Sequence, residues 1–470
     1  VDGHKREQRL SQQLIRRRRM GTHRMTLSAP TPAQRVGSGS IPIMIVFGLF
    51  VAGGAILLAL PMAAETGRTP PLDALFTAVS AICVTGLVVA DTNAQYSTFG
   101  EAVILVLIQI GGLGYMLGTS LLLWVLGGRL GMRDRQMLRL YYGAPTIGQA
   151  VQFVRMIAFY ALIVELAGIV VLFLGFLALD IPPGRSAWWA VFHAVSAFNV
   201  AGFSITTADI TPFRDDAIIL LPLAFLAIAG SIGTVPVIVA IRNLQVRRLP
   251  LDAQLIIYGT AGLLAGSTLF FLTSEWTNSG TLGDAPFYQR PVIAFFQVSM
   301  WTAGLSAIDN GMLRDQTTFF LTGIMFIGGA AGSAAGGIKI GTTILLVMAI
   351  VATIRGRSEV TVSKRRIPTV VVRRALAFAL SFVAFIFLEA VALMMVSDLP
   401  FIDVLFESAS AIGTVGWSAG ITAEFGSAGR LILIIGMLVG RFAPLLLILE
   451  MTYPRAQPIY RLPEEGIHLG

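Results

Sequence analysis

Four short stretches of this chain each end in a glycine set among small or apolar residues. They are Phe76–Leu87 (FTAVSAICVTGL), Phe192–Phe203 (FHAVSAFNVAGF), Phe295–Leu305 (FFQVSMWTAGL) and Phe406–Trp417 (FESASAIGTVGW). In each, a moderately apolar helix-like run leads into a tripeptide that closes on Gly86, Gly202, Gly304 or Gly416. The chemistry open to such tripeptides belongs to the backbone. Glycine admits conformations that a β-carbon obstructs, and carbonyl oxygens aimed at one axis replace the hydration shell of an ion. The candidate ligating residues are Val84, Thr85 and Gly86; Val200, Ala201 and Gly202; Thr302, Ala303 and Gly304; and Thr414, Val415 and Gly416. The hydroxyls of Thr85, Thr302 and Thr414 are candidates for the lower end of the same filter, or else for ordinary helix C-terminal hydrogen bonds. Any single glycine is equally explained by close helix packing. Four copies, each behind a short helix, weigh against that.

The glycines recur every roughly 100–116 residues, too far apart for a solenoid or propeller, so each unit is a small bundle. Of 470 residues, 55% are hydrophobic and 13% charged, with mean hydropathy +0.77. A soluble domain carries about 25% charged residues, so this is a polytopic membrane protein. Hydropathy places spans at Ile41–Met62, Tyr96–Gly127, Val151–Leu179, Ala217–Arg242, Asp252–Thr273, Gln316–Ile354, Val370–Ser397 and Ser427–Tyr453. The glycine stretches fall inside alternate gaps and are too short to cross a bilayer, which takes about 20 apolar residues. Each unit thus reads span, re-entrant helix, filter, span. The expected fold is an all-α polytopic membrane protein with four pseudo-repeats around one central pore. The repeats are residues 41–127, 128–243, 244–355 and 356–453, between a basic, disordered tail (1–40) and a C-terminal tail (454–470). Because the chain does not open on methionine and Met20 and Met25 follow, part of the first tail is expected to be upstream sequence.

Charge orients the repeats. Connections between them carry Arg129, Arg133, Arg135, Arg139, Arg242, Arg247, Arg248, Arg355, Arg357, Lys364, Arg365, Arg366, Arg373 and Arg374. Connections within them are acidic, with Asp91, Asp180, Asp209, Asp215, Asp216, Glu275, Asp309 and Glu424 among others. By the positive-inside rule, both termini and the inter-repeat loops are cytoplasmic, and the filters face outward. The outer acids either raise the local cation concentration or simply decorate solvated loops. The formal charge of +8 is accounted for by these loops rather than by nucleic acid. Loops 128–149, 243–251 and 355–372 also offer a basic docking face to an acidic-rimmed soluble partner.

Two features inside the spans read as gates. The stretch Ile327–Thr343 (IGGAAGSAAGGIKIGTT) interrupts the sixth span with Gly328, Gly329, Gly332, Ser333, Gly336, Gly337 and Lys339. Each glycine costs a helix about 1 kcal/mol against alanine. A broken helix in a membrane faces water at a functional site; the alternative is a small-residue packing face. Arg441 lies about 21 Å along the eighth span at 1.5 Å per residue. An intramembrane arginine is costly and faces water or a partner. It either sets a charge barrier in the conduction path or forms a structural ion pair, with Glu165 or Glu389 as distant candidates.

The rest of the sequence speaks against an enzyme and leaves cation-coupled symport with H⁺ or Na⁺ as the alternative reading. One cysteine, Cys83, rules out an internal disulfide or a multi-cysteine metal site. There is no HExxH, no nucleophile–base set and no GxxxxGK[ST] loop, so no enzyme and no organic cofactor is expected. His193 reads as a packed, hydrogen-bonded residue rather than a ligand. A coupled secondary transporter would show inverted halves and a midplane carboxylate, for which only Glu165 and Glu389 qualify.

VTGL at Val84–Leu87, QIGGLGYM at Gln109–Met116, TAGL at Thr302–Leu305, GSAAGGIK at Gly332–Lys339 and TVGW at Thr414–Trp417 together carry a family resemblance. From about Ile41 to Gly470 the chain resembles the Trk/Ktr/HKT potassium transporters. Its first span leads straight into the first filter, and it ends on LPEEGIHLG, as in the Ktr-type pore subunits. The third filter departs from the family in TAGL and a shorter leader, the fourth in Trp417, and the gate stretch in Ala334 and Ala335. The resemblance implies potassium bound in the filter, and an all-glycine filter set favours potassium over sodium. It implies a homodimer in the cell membrane and a cytosolic, KtrA-like nucleotide-binding ring subunit that controls opening.

Overall fold

A computed structural model describes residues 37–65, 67–114, 147–233, 237, 249, 251–357, 359–362 and 365–452. The chain divides into two units, Val1–Ile45 and Val46–Gly470. Of the first, only residues 37–45, where helix α1 begins, are described. The described residues are predominantly helical, and one order recurs along them four times: a helix, a short helix, a helix. The first set is α1 (Gly37–Leu58), short α2 (Pro71–Cys83) and α3 (Thr98–Gly112). The second is α4 (Ile147–Ala178), short α5 (Pro183–Phe198) and α6 (Ala217–Ile232). In the third, α7 (Leu251–Glu275) and short α8 (Arg290–Ser299) precede a helix broken into α9 (Asp315–Met325) and α10 (Ile340–Ile354). The last is α11 (Thr369–Met394), short α12 (Phe401–Gly413) and α13 (Ser427–Thr452).

Among the described residues, Arg155–Ala178 of α4, all of α7 and all of α11 are long and apolar enough to cross a membrane. Large apolar side chains such as Phe159, Leu166 and Leu174 on α4, and Leu380 and Phe387 on α11, stand exposed. In water that surface would be a liability; against hydrocarbon it is the expected face of a span.

The short helices begin and end for local reasons. Proline stands at the start of each: Pro70–Pro71, Pro182–Pro183, Pro291 and Pro400. There its missing N–H costs no helical bond. The chain then leaves α2, α5 and α12 through left-handed residues, Val84 (φ 58°), Val200 (φ 54°) and Thr414 (φ 48°). Such a residue ends a helix abruptly and turns the backbone into an extended segment. The short α8 has no such residue, and its chain turns through Met300–Ala303 instead.

Packing links the four sets in sequence order. Helix α3 packs on α5, α6 on α8, α9 on α12, and α13 on α2. The last of these contacts is fastened by Arg430 at the start of α13, whose guanidinium lies 2.5 Å from the Asp73 carboxylate in the first turn of α2. Glycines bring three of the long helices against the ends of their short helices. A β-carbon on Gly111, Gly230 or Gly440 would collide with the carbonyl of Ile82, Phe198 or Ile412 respectively. In the third set, the indole of buried Trp301 donates to the Ile327 carbonyl at 2.9 Å, at the break between α9 and α10.

The described parts of the eight sequence-derived spans fall on α1, α3, α4, α6, α7, α9–α10, α11 and α13. The distal parts of the second and fourth, the tails 1–36 and 453–470, and the basic residues Arg129, Arg133, Arg135, Arg139, Arg242, Arg247, Arg248 and Lys364 lie outside the described residues.

Candidate functional site

All four glycines of the repeated stretches meet in one place. Gly86, Gly202, Gly304 and Gly416 line a single cavity of about 540 Å³. All have positive φ: 93°, 71°, 69° and 101°. A β-carbon built on Gly86 would lie 2.5 Å from the carbonyl oxygen of Ala201, and one on Gly202 would lie 2.6 Å from that of Ala303. On Gly304 and Gly416 it would come closer still, to the carbonyls of Val415 and Thr85. The pattern is cyclic: each glycine abuts the carbonyl that precedes the glycine of the next repeat, and the fourth abuts the first. Space and backbone conformation both require glycine here.

The residues before the glycines are held from their short helices. The Gly86 and Gly416 amides donate to the hydroxyls of Ser80 (3.1 Å) and Ser410 (2.9 Å). The Gly304 amide instead donates to the Met300 carbonyl at 2.9 Å. The third stretch therefore reaches a like position by a tighter turn, which its shorter leader requires. The threonines part company. Thr302 shares a hydrogen bond with Ser231 at 2.7 Å, whereas the buried hydroxyls of Thr85 and Thr414 have no partner among the described residues. Ordinary helix-end bonding, one of the two sequence-based options, therefore does not describe Thr85 and Thr414.

The residues after the glycines form the walls of the cavity, which include Asp91, Asp209 and Asp309. Asp91 caps the one-turn helix Thr92–Gln95 and accepts the Ala208 amide across the repeat boundary at 3.3 Å. One Asp209 oxygen accepts the Ser306 amide at 2.6 Å, and the other is buried without a partner among the described residues. Burial pushes the Asp209 carboxyl up to about 8, opposed chiefly by the hydrogen bond from the Ser306 amide. Of the other acids expected in these loops, Glu275 serves structure: it accepts the Thr281 and Thr317 hydroxyls and the Arg314 amide.

On the far side of the glycines lies the break in the third set. Ile327–Gly328 pairs in parallel with Ile338–Lys339, and the loop between them turns at Gly332 (φ 78°) and Gly337 (φ 67°). This loop is docked on the end of α6: the Ala330 amide donates to Ser231 (2.7 Å) and the Ala334 amide to Gly230 (3.3 Å). Gly336 is pressed so close to Thr414 that a β-carbon would overlap its hydroxyl, and Gly329 would meet the Ser231 carbonyl at 2.5 Å. Lys339 folds back on the Ala335 carbonyl at 2.5 Å. Arg441 donates to the loop carbonyl of Ala334 at 2.8 Å and to Gly111, at the end of α3, at 2.5 Å. The ion pair with Glu165 or Glu389 is absent: the guanidinium is spent on two main-chain carbonyls. A small cavity of about 40 Å³ remains between Arg441, Ser333, Ala334 and Asn199, and the buried Ser333 hydroxyl has no partner among the described residues.

Sequence reading missed a buried polar knot beside this cavity. Gln109 of α3 and Asn199 at the end of α5 both donate to Glu165 of α4, at 3.1 Å and 2.9 Å, and Asn199 also donates to Gln109 at 2.9 Å. Its traces in sequence are Glu165, weighed there as an ion-pair or coupling carboxylate, and Asn199 in a position otherwise held by Cys83, Trp301 and Gly413. His193 is indeed hydrogen-bonded, to the Trp189 carbonyl (2.8 Å) and the Ser204 hydroxyl (3.0 Å).

The chain matches the TrkH family, described as cation transport protein, over residues 43–457. It is 34% identical over 436 residues to Ktr system potassium uptake protein B of Bacillus subtilis, covering 91% of this chain and 96% of that one. The Vibrio alginolyticus protein of the same name is 31% identical, with coverage of 91% and 94%. Potassium/sodium uptake protein NtpJ of Enterococcus hirae is 30% identical, with coverage of 94% and 97%. The crystal structure of the potassium transporter TrkH from Vibrio parahaemolyticus shares the fold, with a TM-score of 0.68 over 90% of this chain and 86% of that one at 19% identity.

Proposed function

This chain belongs to the TrkH family of cation transport proteins, and from that premise we propose that it takes up potassium through a filter lined by its four glycine tripeptides. Four pseudo-repeats surround one pore in this reading. The carbonyls of Thr85, Ala201, Ala303 and Val415 make one ring of ligands, with the unpartnered hydroxyls of Thr85 and Thr414 beneath it. The observation that carries the reading is the cyclic contact of each glycine with the next repeat's carbonyl. Such a ring needs no charged ligand. Carbonyl dipoles replace the hydration shell while holding the ion weakly enough to let it leave. The C-terminal ends of the short helices add partial negative charge at the same place.

Below the ring, the loop of Gly328, Gly329, Gly332, Ser333, Gly336, Gly337 and Lys339 acts as the gate. Arg441 latches it through Ala334 and adds a positive charge that opposes cations. Opening is set from outside the chain by a cytosolic nucleotide-binding ring subunit of KtrA type, acting on a homodimer of this chain in the cell membrane with its termini inside. The word "system" in the relatives' names supports a partner. A second reading, potassium symport with H⁺ or Na⁺, is favoured by one observation: both carboxylate oxygens of Glu389 in α11 are buried without a partner among the described residues. Flux from proteoliposomes under K⁺, Rb⁺, Na⁺ and Li⁺ gradients at clamped voltage tests both. Flux that follows the potassium gradient alone supports a channel-like path; uphill movement driven by H⁺ or Na⁺ supports symport. No potassium or rubidium flux overturns the proposal.

A further inference from the structure

One polar residue recurs at the same place on every short helix, immediately after a fully buried phenylalanine: Thr77, His193, Gln297 and Glu407 follow Phe76, Phe192, Phe296 and Phe406. All four are buried, none more than 2% exposed. In three repeats the partner is also the same, the serine two residues past the glycine. His193 meets Ser204 at 3.0 Å, and Gln297 donates to Ser306 at 3.0 Å. Glu407 accepts the Ser418 hydroxyl, and also the Ala419 amide at 3.2 Å and the Thr422 hydroxyl at 3.0 Å. Gln297 is further tied to Asn310 at 2.9 Å and accepts the Ala307 amide at 3.3 Å. The first repeat lacks the serine: Val88 stands there, and Thr77 instead accepts the Tyr96 hydroxyl at 3.1 Å.

We infer that His193, Gln297 and Glu407 are positioning residues that clamp the outgoing end of three filter strands from behind and thereby set ion preference. The inference rests on the filter reading above. Extended backbone between a short helix and a loop has few bonds of its own, so its carbonyl directions are fixed by whatever holds it at both ends. One end is held by the short-helix terminus, and the clamp holds the other. Glu407 is the strongest of the three because a carboxylate accepts three bonds at once, two of them onto consecutive residues of the strand. The first strand, without a serine to clamp, is the most compliant of the four. Loosening a clamped strand lets its carbonyls close around a smaller ion, so the defect is a loss of discrimination rather than of passage.

The test is the K⁺/Na⁺ permeability ratio of the full-length protein in proteoliposomes, with yield and oligomeric state measured on the same preparations. Glu407→Ala is expected to lower the ratio at least about fivefold while potassium still passes. Glu407→Gln, which keeps an acceptor for Ser418 and Ala419, is expected to recover most of it. Ser418→Ala removes a single hydroxyl, and should lower the ratio in the same direction even where Glu407→Ala folds poorly. Gly416→Ser serves as reference for the filter itself. An altered ratio in Gly416→Ser with unchanged ratios in Glu407→Ala and Ser418→Ala overturns the clamp and leaves the filter standing. Unchanged ratios in all of them overturn both.

Discussion

On the proposed reading, replacing Arg441 with alanine should separate gate from filter. The guanidinium donates to Ala334 in the loop and to Gly111 at the end of α3, and so ties the loop to a fixed helix. A hydrogen bond to a charged group contributes about 1.5–3 kcal/mol. Losing the Ala334 bond alone therefore shifts the closed-to-open ratio by about 10–150-fold, since 1.4 kcal/mol is a factor of ten. While the gate is mostly shut, the open fraction and hence the flux rise by the same factor, up to saturation. Loss of the charge from a low-dielectric path adds to the increase. Rubidium uptake into proteoliposomes containing the chain alone, normalised to folded protein, is the assay. Arg441→Lys keeps the charge without the planar fork that reaches two carbonyls, so its flux should fall between wild type and Arg441→Ala. The K⁺/Na⁺ ratio should stay unchanged, because the glycine ring is untouched. Flux at or below wild type in well-folded Arg441→Ala would refute the latch.

Other outcomes follow from the same geometry. Removing loop residues 331–335 should raise flux without a partner and leave ion preference intact. Loss of folded protein with no gain of flux would mean the loop is packing. Gly86→Ser should raise sodium relative to potassium permeation. Its β-carbon meets the Ala201 carbonyl at 2.5 Å, and a side chain at positive φ costs about 1–3 kcal/mol of strain. Bulkier residues at Gly202, Gly304 or Gly416 should cut flux, measured as rubidium uptake. Asp209, pushed up to about 8 by burial, is mostly protonated at pH 7 and gains its charge as pH rises toward 9. The half-saturating external potassium concentration should then fall by about two- to threefold, and Asp209→Asn should flatten that profile. Arg430→Ala removes the contact with Asp73 and bonds to the Phe425 and Ala423 carbonyls. The cost should be about 1–3 kcal/mol, read as a lower unfolding temperature in detergent with ion preference unchanged.

The spans and glycine tripeptides were legible because both are local signals: hydropathy over some twenty residues, and a residue type that backbone geometry demands. The repeat order followed from them. What spacing cannot convey is which distant groups meet. Arg441 reads as a charge in search of a carboxylate, and its actual acceptors are two carbonyls, one of them 330 positions away. Main-chain acceptors leave no mark in sequence. Asp209 looks like any of a dozen loop acids until the fold buries it against Ser306. The clamp was hidden by an offset. Gln297 lies seven residues before its glycine while Thr77, His193 and Glu407 lie nine before theirs. Aligning glycines therefore set Gln297 against the wrong neighbours, and only the missing left-handed residue after α8 accounts for the difference.

Ion density at the ring is the most direct measurement. A structure of the full-length protein in thallium or rubidium, with anomalous difference maps, should show a peak centred among the carbonyls of Thr85, Ala201, Ala303 and Val415. That peak should weaken when sodium replaces the heavier ion, and disappear in Gly416→Ser if the ring is broken. A preparation that conducts rubidium yet shows its ion density elsewhere, with none at the four carbonyls, would contradict the account.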